Sequence, residues 1–183
     1  NQWNKIVQTL KYSQHTNAYP KLDHNNDLLI DNWLLENGLP DGSFINLGQI
    51  ANKRFPDLYS SVDMALFPNR CEPGTNLVAM EAMAMGIPCI ISANTGHLDI
   101  ICNETCYALL NQKDVKSFHP YNYVDGWGEA SIDEILDQME KLYLDQEAAQ
   151  TIGENASNAM KKYSWDKQVE KLLDAVDDLY RKN

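Results

Sequence analysis

Two glutamates flank a short turn in the segment NRCEPGTNLVAMEAMAMGIP, which covers residues 69–88. Glu72 precedes a Pro-Gly-Thr-Asn turn, and Glu81 follows it inside an apolar run. Carboxylates accept hydrogen bonds from hydroxyl groups, whereas free backbone N–H groups at the start of a helix bind anions. The pattern therefore predicts a site for a ligand that carries both hydroxyl groups and phosphate.

The turn between the two glutamates is the predicted phosphate site. A strand is expected to end at Pro68 and a helix to begin near Thr75 or Asn76, and α/β proteins bind ligands at this edge of the sheet. Gly74 has no side chain, which would let the backbone approach a ligand closely. The residues expected to contact the phosphate are Gly74, Thr75, Asn76, Leu77 and Val78.

Glu81 lies about 7.5 Å along the predicted helix from Asn76, at about 1.5 Å per residue. A ribose attached to a phosphate would lie at about this distance, so we expect Glu81 to bind ribose hydroxyls and Glu72 to bind sugar hydroxyls. The alternative is that Glu81 simply faces solvent, as most glutamates do. Because LVAMEAMAM is apolar on nearly every face, we expect the helix to be covered on most sides.

The elements that position these residues are predicted from apolar segments. Strands are expected at 43–48, 63–68, 88–92 and 106–110, and helices at 4–13, 27–37, 55–61 and from about 76 to Gly86, with a turn or short helix at 96–99. Strands that alternate with helices are typical of a parallel sheet. We therefore expect a Rossmann-like, doubly wound α/β domain.

The rest of the chain is predicted to be a loop at 111–130 followed by three amphipathic helices within 131–183. The first of these helices is expected to start at a capping box formed by Ser131 and Glu134. The third has an apolar stripe at Leu172, Leu173, Val176, Leu179 and Tyr180. We treat 1–183 as a single domain whose first strands are missing, because doubly wound sheets have five or six strands and only four are predicted.

Composition excludes several kinds of partner. The chain has 183 residues and a net charge of −11, which argues against a nucleic-acid partner and against docking on an anionic membrane. No apolar stretch is long enough to span a bilayer. The four cysteines (Cys71, Cys89, Cys102 and Cys106) are expected to be reduced, which favours the cytoplasm, and their spacing does not predict a metal site.

Residues 71–88 resemble the signature of the nucleotide-sugar-dependent glycosyltransferases of the GT-B fold, in the family grouped with sucrose synthases (family 4). The matching residues are Glu72, Gly74, Glu81, Ala82, Met83, Ala84, Gly86 and Pro88. The segments Leu58-Tyr59 with Asp63, and 92–99, fit the flanking pattern, so that the resemblance covers about 27–110. Members commonly have seven residues between the two glutamates, whereas eight intervene here. The extra residue in the turn affects the orientation of Glu72, whereas the helix anchors Glu81.

The resemblance implies a C-terminal domain that binds a nucleoside-diphosphate sugar for transfer with retention of configuration. Glu72 would contact the donor sugar, as the catalytic residue of this half, and Glu81 would contact the ribose. In the family the amides of the intervening turn hold the diphosphate. No cofactor and no metal would be needed. The acceptor would bind to an N-terminal domain, and this segment alone is expected to be inactive.

Several other residues are candidates for contacts with the donor. A basic pair in the family neutralises the diphosphate, and the nearby substitutes here are Arg70, Lys53 and Arg54, each of which could equally be a surface charge. The base would pack near Gly48, Gln49 and Ile50, at the end of the strand predicted for 43–48. His97 could reach the ligand or cap a turn.

Two other functions are compatible with the same pattern. A non-catalytic nucleotide-binding module could keep the fold, although we expect a degenerate module to lose one of the glutamates. A sugar-nucleotide epimerase would need acid and base groups near the sugar, and this segment offers only Glu72 and His97.

Overall fold

The computed structural model describes Asp23, residues 29–116 and residues 124–181. The chain divides into two compact units, Asn1–Phe55 and Pro56–Asn183, which are described separately. The helix predicted at 4–13 lies outside the described residues.

In the first unit, helix α1 (Ile30–Glu36) confirms the described part of the helix predicted at 27–37. The chain leaves this helix through Asn37 and Gly38, whose φ of 89° suits glycine. A single 3₁₀ turn, Asn52–Arg54, follows later in the unit.

The strand predicted at 43–48 is wrong, since residues 44–50 have no regular secondary structure. A strand needs a hydrogen-bonded neighbour, and no described segment pairs with this one. The side chain of Ile45 is 85% exposed, and that of Leu47 is also exposed. Ile45 and Leu47 are therefore not buried in the described chain.

The second unit contains most of the predicted elements. Helix α2 (Phe55–Tyr59) leads into it, and the elements that follow are β1 (Ala65–Phe67), α3 (Leu77–Ala84), β2 (Cys89–Ser92), a 3₁₀ helix (Thr95–Asp99), β3 (Tyr107–Leu109), β4 (Gln112–Asp114), β5 (Gly128–Ala130), α4 (Ile132–Leu144), α5 (Gln146–Met160), a 3₁₀ turn (Lys161–Tyr163) and α6 (Trp165–Arg181). No helix of the described residues is both long and apolar enough to cross a membrane.

Strands β1, β2 and β3 form a parallel sheet with β2 in the centre. Leu66 pairs with Ile90, and Ile91 pairs with Ala108. All four residues of β2 are buried, as expected for a central strand covered on both faces. The described chain thus confirms the predicted α/β class, with three of the four predicted strands in the sheet.

The loop predicted for 111–130 is partly wrong, because β4 and β5 form an antiparallel pair. Gln112 pairs with Ala130, and Asp114 pairs with Gly128. Polar residues fill β4 and leave most of it exposed, so the short strand lacks the apolar alternation by which strands are predicted.

The capping box predicted at the start of α4 is also wrong. Ser131 occupies the N-cap position, but its side chain makes no capping hydrogen bond. The carboxylate of Glu134 instead accepts hydrogen bonds from the backbone N–H groups of Leu110 and Asn111, each at 2.9 Å. Glu134 therefore binds the chain that leaves β3 rather than the start of its own helix.

Helix α5 packs against the C-terminal end of α3 through two glycines. A Cβ atom on Gly153 would overlap the carbonyl oxygen of Gly86, which itself has a φ of 79°. Next to this contact, the hydroxyl of Ser157 donates to the carbonyl of Ala84 at 2.9 Å. The close approach therefore requires glycine at position 153, whereas at position 86 it is the positive φ that favours glycine. The apolar stripe predicted on α6 is present and exposed in the described chain.

Gly153→Ala should destabilise the protein, although alanine is usually favoured over glycine inside a helix by about 1 kcal/mol. The new methyl group would force α5 away from Gly86, at a cost of about 1–3 kcal/mol. Urea unfolding measures the change. Asn155→Ala, at an exposed position of the same helix, is the control and should stay within about 0.5 kcal/mol of the wild type. An equally stable Gly153→Ala protein would contradict the packing described here.

Candidate functional site

The predicted phosphate site lies where β1 leads through a loop into α3, at the carboxyl edge of the parallel sheet. No hydrogen bond in the described part of the chain uses the backbone N–H groups of Thr75, Asn76, Leu77 or Val78 as donors. Free N–H groups and the positive end of a helix dipole attract anions. The geometry is therefore the one predicted for a phosphate-binding turn.

Asn76 is the N-cap of α3 and has left-handed backbone angles, with φ at 58°. Its side-chain Oδ1 accepts a hydrogen bond from the N–H of Ala79 at 3.1 Å. The side chain is buried, and its Nδ2 lies 2.9 Å from Nε2 of His97. Asn76 thus contributes to the site by fixing the start of α3 as well as by its backbone N–H.

His97 is completely buried, and it contacts Asn76 with one ring nitrogen and the carbonyl oxygen of Ser92 with the other. Because a carbonyl only accepts hydrogen bonds, Nδ1 of His97 carries the proton and donates to Ser92 at 3.0 Å. Nε2 is then free to accept from the amide of Asn76. Burial lowers the pKa of His97, and this effect exceeds the opposing effects of the Ser92 carbonyl and of the Glu72 charge.

The loop that carries Glu72 is held by the chain that follows β2. The backbone N–H of Glu72 donates to Oγ1 of Thr95 at 2.7 Å, and the carbonyl of Glu72 accepts from the N–H of Gly96 at 3.0 Å. A Cβ atom on Gly96 would overlap the carbonyl of Gly74. The turn and the start of the 3₁₀ helix are therefore in direct backbone contact.

Strained backbone is concentrated at this contact. Thr95 has a φ of 40°, and with Asn76 it is one of the two non-glycine residues of the described chain that have positive φ. A β-branched residue in this region is a conformational outlier, and such outliers cluster at functional sites. The strain supports a functional role for the turn.

The side chain of Glu72 is half-buried, and its Oε1 lies 3.4 Å from the N–H of Gly74. At this distance the hydrogen bond is weak, so that both carboxylate oxygens of Glu72 can accept from a ligand. Glu72 and Glu81 thus lie before and after the same row of free N–H groups, as the sequence predicts.

Glu81 is on an exposed face of α3, and the prediction that this helix is covered on most sides is wrong. Leu77 is 71% exposed and Val78 is also exposed, whereas Ala79 and the other buried residues of α3 lie on the opposite side. The exposed face is still shaped for binding, since Glu81 lines a groove of about 400 Å³. The groove is lined by Leu77, Met80, Glu81, Ala84, Ser157, Met160, Lys161, Tyr163 and Ser164.

The hydroxyl of Tyr59 lies near the carboxylate of Glu81. Tyr59 is buried, and its hydroxyl lies 3.4 Å from Oε2 of Glu81 and 3.4 Å from the carbonyl of Val78. Burial raises the pKa of Tyr59, and the charge of Glu81 and the hydrogen bond to it raise it further. Tyr59 therefore stays protonated and donates a hydrogen bond to Glu81.

The other residues proposed to contact the ligand are arranged as follows. Arg70 forms an exposed ion pair with Glu129 of β5, so its charge is shared with a carboxylate. Lys53 and Arg54 form part of the 3₁₀ turn of the first unit. Gly48, Gln49 and Ile50 lie in the same unit, outside any strand. Their contact with a ligand stays a prediction.

No cluster of His, Cys, Asp or Glu in the described residues is arranged to hold a metal ion. The four cysteines are free thiols. Burial raises the pKa of Cys89 to about 12 and that of Cys106 to about 11, so both behave as buried apolar groups.

Asn94 is a site residue that sequence reasoning missed. Its buried side-chain Nδ2 lies within 3.1 Å of the carbonyl of Asn69, Oε1 of Gln112 and the carbonyl of Gly128. The loop before Glu72 is thereby tied to both strands of the β4–β5 pair. Asn94 lies two residues after the predicted buried strand 88–92, and this position was the available signal, but its partners are distant in sequence.

Solved structures that share this fold include a sucrose-phosphate synthase and the C-terminal domain of a glycosyl transferase group 1 family protein. Sucrose-phosphate synthase from Thermosynechococcus elongatus superposes with a TM-score of 0.65 and 21% identity, over 98% of this chain and 43% of that chain. Anabaena HepE, solved in complex with UDP, gives a TM-score of 0.60 and 16% identity, over 94% of this chain and 44% of that chain. The C-terminal domain of a glycosyl transferase group 1 family protein from Francisella tularensis gives a TM-score of 0.53 and 23% identity, over 74% of this chain and 61% of that chain.

These similarities define the fold as that of a Rossmann-like GT-B C-terminal domain, which confirms the predicted fold class. The chain spans between 43% and 61% of the length of these three structures. The comparison with curated protein sequences gave no significant match.

The family follows from the sequence itself. The model of the family described as glycosyl transferases group 1 matches residues 24–119, which is more than half of the chain. The chain therefore belongs to the glycosyl transferases group 1 family. The matched range includes Glu72, Glu81 and the free N–H groups between them.

Gly96→Ala should destabilise the protein by about 1–3 kcal/mol, because its methyl group would overlap the carbonyl of Gly74. Gly74→Ala is the matched control, since no atom lies within 4 Å of the position that its Cβ would take. Thermal unfolding of both variants measures the difference. Similar melting temperatures for the two would show that the turn and the 3₁₀ helix are not in backbone contact.

Proposed function

We propose that this chain is the donor-binding domain of a retaining glycosyltransferase of family 4, which takes a sugar from a nucleoside-diphosphate sugar. The observation that carries the proposal is the row of four free N–H groups, Thr75 to Val78, between Glu72 and Glu81 in a chain of this family. The donor is a substrate, and the proposal includes no cofactor.

The diphosphate binds at the start of α3. Its negative charge faces the N–H groups of Thr75, Asn76, Leu77 and Val78 and the positive end of the helix dipole. When the bond to the sugar breaks, charge develops on the departing nucleoside diphosphate. Donors that are fixed before the reaction stabilise that charge without having to reorganise, so the turn lowers the barrier to transfer.

Glu81 binds the ribose hydroxyls, and Glu72 binds hydroxyls of the transferred sugar. Support for the first role comes from the exposure of Glu81 on the groove side of α3. Its side-chain partner in the described chain is the hydroxyl of Tyr59 at 3.4 Å, a weak hydrogen bond that leaves the carboxylate able to accept from a ligand. Support for the second comes from the fixed backbone of Glu72, which leaves its carboxylate oxygens open to a ligand.

HepE, which shares the fold, was solved with UDP, and this makes UDP the first nucleotide to test. The proposal extends to an acceptor that is bound by another domain of a longer protein, so that this segment is inactive alone. The proposed location in the cytoplasm rests on the sequence argument from reduced thiols.

Calorimetric titration of the chain with UDP, GDP, ADP and their sugars tests the donor site. We expect one nucleoside diphosphate to bind, and Glu81→Ala to weaken it about tenfold or more, because hydrogen bonds to a charged group contribute about 1.5–3 kcal/mol. Glu140→Ala removes the same charge from an exposed position on α4 and should leave the affinity unchanged. If Glu81→Ala binds as tightly as the wild type, the ribose role is wrong.

The panel also separates the alternatives. A chain that binds the free nucleotide and its sugar equally well, with no effect of Glu72→Ala, is a nucleotide-binding module that does not recognise the sugar. A folded chain that binds none of the compounds at millimolar concentration contradicts the donor site.

A further inference from the structure

His97, Asn76 and Ser92 form a continuous buried chain of hydrogen bonds that ends at the start of α3. The carbonyl of Ser92 accepts from Nδ1 of His97 at 3.0 Å, and Nε2 of His97 lies 2.9 Å from Nδ2 of Asn76. Oδ1 of Asn76 then accepts from the N–H of Ala79 at 3.1 Å. The three residues are at most 9% exposed, so water cannot easily replace any of these partners.

We propose that His97, as the neutral tautomer protonated at Nδ1, is the positioning residue that holds Asn76 and thereby keeps the N–H groups at the start of α3 directed at the diphosphate. The proposal rests on the function proposed above and adds a residue that acts through Asn76, without contacting the donor. Completely buried, His97 has no access to the ligand itself.

The donor and acceptor directions of these hydrogen bonds allow only one protonation state of His97. If His97 took up a second proton, the N–H of Nε2 would face the NH₂ group of Asn76, and two donors would oppose each other. Rotating the amide of Asn76 by half a turn would satisfy His97 but would place the NH₂ group against the N–H of Ala79. Either arrangement loses a hydrogen bond, so protonation disrupts the N-cap of α3.

The charged and polar groups around the imidazole affect the protonation of His97 as follows. Glu72, on the loop before α3, favours the protonated ring. Asp99, on the same 3₁₀ helix as His97, is exposed. Ser92, on β2, presents its neutral carbonyl to the ring. Desolvation exceeds the effect of Glu72, so the pKa of His97 lies below its ordinary value and the neutral form predominates at neutral pH.

The sign of the pH dependence follows from this lowered pKa. Below about pH 6.5 the imidazole of the unfolded chain takes up a proton while the buried one does not. The contribution of His97 to folding stability is therefore complete above about pH 6.5 and is lost as the pH falls through that value. At still lower pH, where His97 is protonated in the folded chain as well, the affinity for a diphosphate should also fall.

The first test determines the tautomer in the ligand-free chain. Long-range ¹H–¹⁵N correlation spectra of the ¹⁵N-labelled protein at pH 7.5 identify which ring nitrogen carries the proton, and the His97→Gln variant assigns the signal among the four histidines. We expect the proton on Nδ1. A proton on Nε2 overturns the proposal, whatever the protein binds.

The second test measures UDP binding between pH 5.5 and 7.5 in three variants that circular dichroism shows to be folded. In His97→Gln the side-chain oxygen can accept from Asn76 but cannot titrate, so affinity at pH 7.5 should stay within about threefold of the wild type. His97→Leu leaves the NH₂ group of Asn76 without its acceptor and should lose about tenfold, the equivalent of one hydrogen bond. Leu98→Ala, at an exposed neighbour, is the control and should bind normally.

The pH profile separates positioning from general stability. UDP itself titrates in this range, but its titration is common to all variants, so the ratio of wild-type to His97→Gln affinity isolates the histidine. We expect this ratio to fall at low pH. A ratio that rises at low pH, or an unchanged affinity in His97→Leu at pH 7.5, overturns the proposal. If the wild type binds none of the nucleoside diphosphates, the donor site fails, and the tautomer still decides whether His97 positions Asn76.

Discussion

The hydrogen bond from the N–H of Ala79 to Oδ1 of Asn76 determines where α3 begins and which N–H groups stay free. Because the cap satisfies Ala79, the helix starts at Leu77, and the unpaired donors point out of its first turn. Asn76 makes this bond from a left-handed backbone, a conformation that asparagine tolerates better than most residues. The candidate site depends on this cap, and the cap in turn depends on the buried histidine behind it.

The rest of the second unit supplies the rigidity that such a site requires. Gly96 permits backbone contact with the Glu72 turn, and Gly153 permits backbone contact with the C-terminal end of α3. Asn94 adds a connection from the loop before Glu72 to the β4–β5 pair. Each of these contacts fixes the backbone on one side of the site. Fixed donors are what electrostatic stabilisation of a departing diphosphate requires.

The prediction from sequence was most accurate where local chemistry decides the structure. The parallel strands, the helix after Gly74 and the position of both glutamates around it follow from apolar runs, turn residues and spacing, and the structure confirms them. It was wrong at 43–48, at 111–130 and at Glu134, because strand pairing and side-chain partners depend on residues far away in the chain. The exposure of α3 was likewise mispredicted, since an apolar sequence does not show whether a neighbouring element covers it.

The sequence by itself determined the family, the α/β class and the pair of glutamates that flank a glycine-containing turn. Only the tertiary structure decided that His97 contacts Asn76 and that the hydroxyl of Tyr59 lies near the carboxylate of Glu81. It also decided that Arg70 pairs with Glu129. These contacts join residues that are 21, 22 and 59 positions apart. Local preferences act over a few residues, so contacts at such separations form only when the whole chain packs.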